Sequence, residues 1–258
     1  MEKNLTKEKI KAGQVVVGTF MNVNHPRIIE LCGYTGYDFI IIDAEHGPAD
    51  YEPVEDLIRA AELTGITPLV RIAQNVQQVI LRYLDLGAMG AQIPMVNTKA
   101  EAEAVVRACK YYPEGARGLA GVRAAHYGVM ESFPEYVKQA NQEMLVIVQV
   151  ETVQAVGNLK EILGVPGIDI VFVGPTDLAS SMGYSGQFSR PEVQEELYRI
   201  FAEIRNAGLA PGTIAMGGLE GTKKLIDGGV QYIAASAMSM MVQAGRDYLK
   251  ALGLGRKP

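Results

Sequence analysis

No cluster of lysine or arginine occurs in the 258 residues, and the formal net charge is −5. Nucleic-acid binders normally carry a basic stripe or patch, so that class of function is set aside. No apolar run is long enough to span a bilayer. The opening Met-Glu-Lys-Asn-Leu-Thr-Lys-Glu-Lys also lacks the apolar core of a signal peptide. These absences lead us to expect a cytoplasmic protein with no membrane partner. The only cysteines, Cys32 and Cys109, sit in apolar helical contexts and form no metal-type pair, so both are expected to be reduced and structural. Low-complexity tracts, close internal repeats and linkers rich in proline, serine or charge are absent too.

What is present fits a soluble globular chain with many tight turns: 48% hydrophobic residues, 21% charged residues and 28 glycines. The length suits one large α/β domain or two small ones. Apolar stretches that read as strands are Val15–Phe20, Phe39–Asp43, Thr67–Arg71, Gly90–Pro94, Met144–Val150, Ile168–Val173, Leu209–Thr213 and Val230–Ala235. Helical patterning falls between them, at 28–32, 51–63, 76–86, 99–109, 134–140 and 191–206, with a last helix at 238–252. A longer irregular segment, Tyr111 to Tyr127, holds Arg117 and Arg123 and is long enough to be a functional loop. Eight strands alternating with helices predict a single (β/α)₈ TIM barrel over 1–258; a doubly wound open sheet is the alternative.

In such a barrel the chemistry comes from the C-terminal ends of the strands. Those ends offer Phe20, then Asp43, Glu45 and His46, then Arg71, Gln92, Gln149 with Glu151, and Asp177. Asp177 follows an apolar strand and the Gly174-Pro175-Thr176 turn, where a carboxylate serves either as a helix cap or as a ligand. Glu151 and Asp177 would come from adjacent strands, and one or two protein carboxylates suffice for Mg²⁺ or Mn²⁺. His46, one of three histidines, is the natural proton carrier near neutrality. Arg71, delivered by an apolar strand, needs an anion: a substrate carboxylate, Asp43 or Asp85. Asp85 itself could orient His46 or Arg71, or simply face solvent. No strand ends in lysine, so Schiff-base chemistry has no nucleophile at the barrel mouth, and metal-assisted enolate stabilisation is left.

Taken in order, Asp43-Ala-Glu-His-Gly-Pro, Pro68-Leu-Val-Arg71, Tyr83-Leu-Asp-Leu-Gly-Ala88, Gly115-Ala-Arg-Gly118, Gln149-Val-Glu151 and Val173-Gly-Pro-Thr-Asp-Leu-Ala179 resemble the HpcH/HpaI family of metal-dependent pyruvate aldolases. The resemblance implies a class II lyase that cleaves 4-hydroxy-2-oxo acids to pyruvate and an aldehyde. It further implies a homo-hexamer with the last helix exchanged between subunits. By the same resemblance Glu151 and Asp177 hold the metal (Mg²⁺ or Mn²⁺, with Co²⁺ a further candidate), and His46 is the acid/base acting with a metal-bound water. Arg71 contacts the enolate oxygen, Asp85 holds His46, and Gln149 with the backbone of Gly174, Pro175 and Thr176 receives pyruvate. Phe20 stands where relatives often have tryptophan, and Thr176 where they often have alanine or serine; both bear on aldehyde preference. Arg117 and Arg123 are candidate contacts for an acidic aldehyde tail or a neighbouring subunit. Two alternatives stay open: a citrate-lyase-β or malyl-CoA type of lyase, and a non-catalytic binder of oxo acids.

Overall fold

The structure, a computed structural model, describes residues 2–254. A short helix, α1 (Leu5–Lys11), precedes β1 (Val16–Met21), α2 (Pro26–Tyr34), β2 (Phe39–Asp43), α3 (Tyr51–Thr64), β3 (Thr67–Arg71) and α4 (Gln77–Asp85). The chain continues through β4 (Gly90–Ile93), α5 (Lys99–Cys109), a 3₁₀ turn (Arg123–Gly128), α6 (Phe133–Glu143), β5 (Leu145–Val150), α7 (Val153–Gly157) and α8 (Leu159–Leu163). It ends with β6 (Ile170–Val173), α9 (Pro175–Ser181), α10 (Pro191–Asn206), β7 (Ala210–Ile214), α11 (Gly218–Asp227), β8 (Tyr232–Ser236) and α12 (Ala237–Ala251). Among these residues no helix is long and apolar enough to cross a membrane.

Every strand pairs in parallel with the next, and β8 returns to β1 through Val16↔Tyr232 and Thr19↔Ala235. The sheet is therefore a closed (β/α)₈ barrel and not the doubly wound alternative. Strands buried on both faces explain the near-continuous apolar runs in the sequence. Alternate residues point inward: Phe39, Ile41, Leu69, Leu145, Ile147, Ile170, Phe172 and Tyr232 fill the barrel, with Phe39 stacked on Tyr232 at 4.1 Å between centroids. The other set, including Ile40, Ile42, Val70, Val146 and Val171, meets the apolar stripes of the surrounding helices. Register then sets the level of the polar residues at the mouth, where Asp43 pairs with Arg71, and Arg71 with Gln92.

The lysine-rich segment before β1 is built into the fold. Asn4 caps α1 and donates to the carbonyls of Met89 and Glu143, both at 3.0 Å. Thr6 donates to Thr67 Oγ1 at 2.8 Å, and Lys7, although 5% exposed, reaches Met144 O at 2.6 Å and Asp169 at 2.9 Å. These contacts close the N-terminal end of the barrel.

At the other extreme of the chain, α12 is amphipathic yet contributes no buried residue; Met241 and Tyr248 are 72% and 68% exposed. The segment after α5 is irregular, as expected, apart from its 3₁₀ turn. It packs at the closed end, where Arg123 donates to Leu86 O at 2.8 Å and pairs with Glu62.

Candidate active site

Asp43 is the centre of one half of the mouth. It has no exposure and accepts from Arg71 Nε at 2.9 Å, Arg71 Nη2 at 2.6 Å and Asn22 Nδ2 at 2.7 Å, and from the backbone N–H groups of Glu45 and His46 at 3.1 and 3.2 Å. Burial alone would raise its pKa, but the hydrogen bonds and charge of Arg71, together with the backbone N–H bonds of His46 and Glu45, outweigh that and hold it below the usual carboxylate range. This fork-to-fork pair answers the need for an anion beside Arg71, and the partner is internal. The other face of the guanidinium lies over Phe20, 4.6 Å from the ring centroid, and Phe20 in turn meets Phe172 edge to face. Phe20 thus shelves Arg71 and leaves its direction little freedom.

Glu45 was visible at the strand end, but the sequence reading gave it no role. Its Oε2 lies 3.3 Å from Arg71 Nε and 3.9 Å from His46 Nε2, so it joins the anion-binding arginine to the proton carrier. Burial raises its pKa; Arg71 and His46 oppose that rise, while Asp43 and Asp177 add to it. His46 is two-thirds exposed, a position open to an incoming substrate.

Glu151 forms the second half. Only 3% exposed, it accepts from Met95 N–H at 2.9 Å and from Gln149 Nε2 at 3.1 and 3.0 Å. Met95 makes this bond with φ at +55°, a conformation that strains a residue carrying a Cβ and that no sequence pattern would have indicated. Burial, reinforced by the charges of Asp177 and Glu45, pushes the Glu151 carboxyl up to about 7 despite those donors. Gly174, at the N-cap of α9, runs so close that a Cβ there would sit 2.3 Å from Glu151 Oε2. Asp177 lies in the first turn of α9, exposed, and makes no hydrogen bond among the described residues. Pro175 is buried beside it and Thr176 is exposed.

Among the described residues no group of three or more His, Cys, Asp and Glu side chains is arranged to hold a metal ion. The two carboxylates still fit a hard cation. A buried carboxyl whose charge is opposed by two neighbouring acids is relieved by a positive ion, and waters and substrate oxygens supply the remaining ligands of a Mg²⁺-type site.

Several expected positions look different in place. Gln149 is 1% exposed and spends its amide N–H groups on Glu151, where a contact with pyruvate was expected. Asp85 does not meet His46 within the chain. Because α4 runs back from the mouth, its last residue lies at the closed end, paired there with Arg117 at 2.8 Å. Arg117 and Arg123 are at that same end, so neither can touch an aldehyde in its own barrel.

A family model described as HpcH/HpaI aldolase/citrate lyase matches residues 16–254. This chain belongs to that family. As an HpcH/HpaI member it is 38% identical over 212 residues to 4-hydroxy-2-oxovalerate aldolase of Rhodococcus jostii RHA1, covering 82% of this chain and 81% of the relative. It is 36% identical over 249 residues to 4-hydroxy-2-oxo-heptane-1,7-dioate aldolase of Salmonella dublin, covering 96% and 94%. Among solved structures, an HpcH/HpaI aldolase/citrate lyase family protein from Burkholderia cenocepacia J2315 superposes with a TM-score of 0.91 at 32% identity, covering 97% of this chain and 99% of the other. The family expected from the six motifs is the family found.

Proposed function

We propose that the protein is a metal-dependent aldolase that reversibly cleaves 4-hydroxy-2-oxo acids to pyruvate and an aldehyde. The observation that carries this reading is the pairing, in one mouth, of the buried Glu151 carboxylate beside Asp177 with an arginine fixed by Asp43. The relatives' names point to the same substrate class. Glu151 and Asp177 would hold Mg²⁺ or Mn²⁺, which supplies Lewis-acid stabilisation of the enolate oxygen, an effect worth several kcal/mol in general.

The chain's own residues do the rest. Arg71 Nη1, with no hydrogen bond among the described residues, receives the oxygen on which negative charge develops. As the C3–C4 bond breaks, its electron pair moves into the enolate, and His46 accepts the proton of the 4-hydroxyl as that carbon becomes the aldehyde carbonyl. Returning a proton to C3 completes pyruvate. The Gly174-Pro175-Thr176 backbone lines the pyruvate end, and Phe20 and Thr176 face the choice of aldehyde.

We place the protein in the cytoplasm as one domain that assembles as a homo-hexamer exchanging α12, whose bare apolar residues support a partner there. Asp85 could then orient only the His46 of another subunit.

The test is retro-aldol activity on 4-hydroxy-2-oxo acids after exhaustive chelation, in the wild type and in Glu151→Ala. Activity that survives either treatment refutes the metal role. Exchange of the pyruvate methyl protons separates catalysis from mere binding: a protein that binds pyruvate with metal and never exchanges them is a sensor.

A further inference from the structure

Inside the barrel, four side chains form one run of hydrogen bonds that ends on Glu151. The Tyr232 hydroxyl, from β8, donates to Gln92 Oε1 at 3.4 Å; the Gln92 amide, from β4, donates to Gln149 Oε1; and Gln149 Nε2 donates to both carboxylate oxygens. Tyr232 and Gln92 have no exposure, and the lining about them, Leu69, Ile147 and Phe172, is apolar. A glutamine side chain presents a donor end and an acceptor end of nearly the same shape. Which end faces Glu151 is therefore decided by what holds the other end. Burial drives the Tyr232 phenol well above its ordinary pKa, so it stays protonated and remains a donor.

We propose that Gln92, backed by Tyr232, is a positioning residue that locks Gln149 with its N–H groups on Glu151 and so sets how firmly Glu151 holds a divalent cation. This rests on Glu151 as a metal ligand. Were the Gln149 amide to turn, its carbonyl would face the carboxylate, repelling it and leaving a buried N–H without an acceptor. Partners behind a metal ligand typically contribute about 10–100-fold in metal affinity.

The experiment is a Mn²⁺ titration of the full chain without substrate, read as free Mn²⁺ by electron paramagnetic resonance, with thermal unfolding of each metal-free variant measured alongside. Gln92→Leu, which keeps the bulk and removes the donor, should weaken Mn²⁺ binding roughly 10-fold or more. Gln92→Glu, which when ionised draws the Gln149 N–H groups toward itself, should do at least as much. Tyr232→Phe, which deletes one oxygen, should weaken binding a few-fold, and it carries the test if Gln92→Leu does not fold. Lower thermal stability with wild-type Mn²⁺ affinity in these variants would overturn the proposal, since the run would then be merely structural. Glu151→Ala separates the two levels. If it binds Mn²⁺ as the wild type does, the metal assignment and the proposal both fall; if it loses Mn²⁺ while Gln92→Leu keeps it, only the positioning role falls.

Discussion

Replacing Asp43 by alanine strips five donors of their acceptor at once, two of them on Arg71. Removing one member of a buried ion pair costs about 3–5 kcal/mol. Glu45, 3.3 Å from Arg71 Nε, offers partial replacement, and the guanidinium at 14% exposure keeps some water, so the lower end, about 3 kcal/mol, applies. At about 2–4 °C per kcal/mol for a chain of this size, the melting temperature should fall by about 6–12 °C. The larger effect is on turnover. Without its fork Arg71 is held only by the Phe20 face and Glu45, and displacing a substrate-orienting group by about 1 Å can cost about 100-fold in rate. Asp43→Asn, which keeps one acceptor oxygen and loses the charge, should destabilise less and slow turnover comparably.

The pH dependence has a definite sign. The folded pKa of Asp43 is lowered, so its contribution is present above the unfolded carboxylate value and is lost as pH falls through the folded one. Wild type should lose stability in acid more steeply than Asp43→Asn. Denaturant melts across acid pH, paired with steady-state kinetics, provide the assay. A Asp43→Ala protein with wild-type midpoint and turnover within twofold would refute the fork as the element that fixes Arg71.

Glu151 behaves oppositely: its folded pKa is raised to about 7, so the metal-free fold should weaken as pH rises from the unfolded carboxylate value toward 7, by up to about 3 kcal/mol. Melting curves of chelated protein should show this fall, Mn²⁺ should reverse it, and Glu151→Gln should flatten it. Gly174→Ala places a Cβ 2.3 Å from Glu151 Oε2, so metal affinity should drop by at least about tenfold while the circular dichroism spectrum stays that of a folded barrel. Cys109, whose thiol burial pushes up to about 12, should not react with a thiol reagent in the native protein and should react promptly in denaturant.

Where a run of residues had one reading, the sequence located it well. Strands β2 and β3 and helices α5 and α10 begin and end where apolar periodicity and the flanking residues placed them. Helix α1 was missed because seven residues with four lysine or glutamate side chains show no convincing stripe, and its order comes from contacts with strands far along the chain. Helix α11 begins among Gly217, Gly218 and Gly221, which disfavour a helix locally, and only the barrel around it holds it in place. At the site, the strand-end carboxylates, His46 and Arg71 were legible because polar residues closing apolar strands stand out. Gln149's service to Glu151, the backbone donor of Met95 and the link from Glu45 to both Arg71 and His46 were not, since each depends on register and side-chain direction. Asp85 shows the same limit: its motif marks a residue, but only the direction of α4 shows at which end of the barrel it lies.

Helix α1 also bears on the order of events during synthesis. Lys7 precedes its partner Asp169 by 162 positions. Thr6 and Asn4 can meet Asp38, Thr67 and Met89 as β2 to β4 emerge, but only once Asp169 is made can Lys7 complete the tie across the starts of β2 through β6. The helix is thus fully anchored only when β6 is about to form. It acts as a late latch, and deleting it should leave a barrel slow to reach its final state more than one unable to begin.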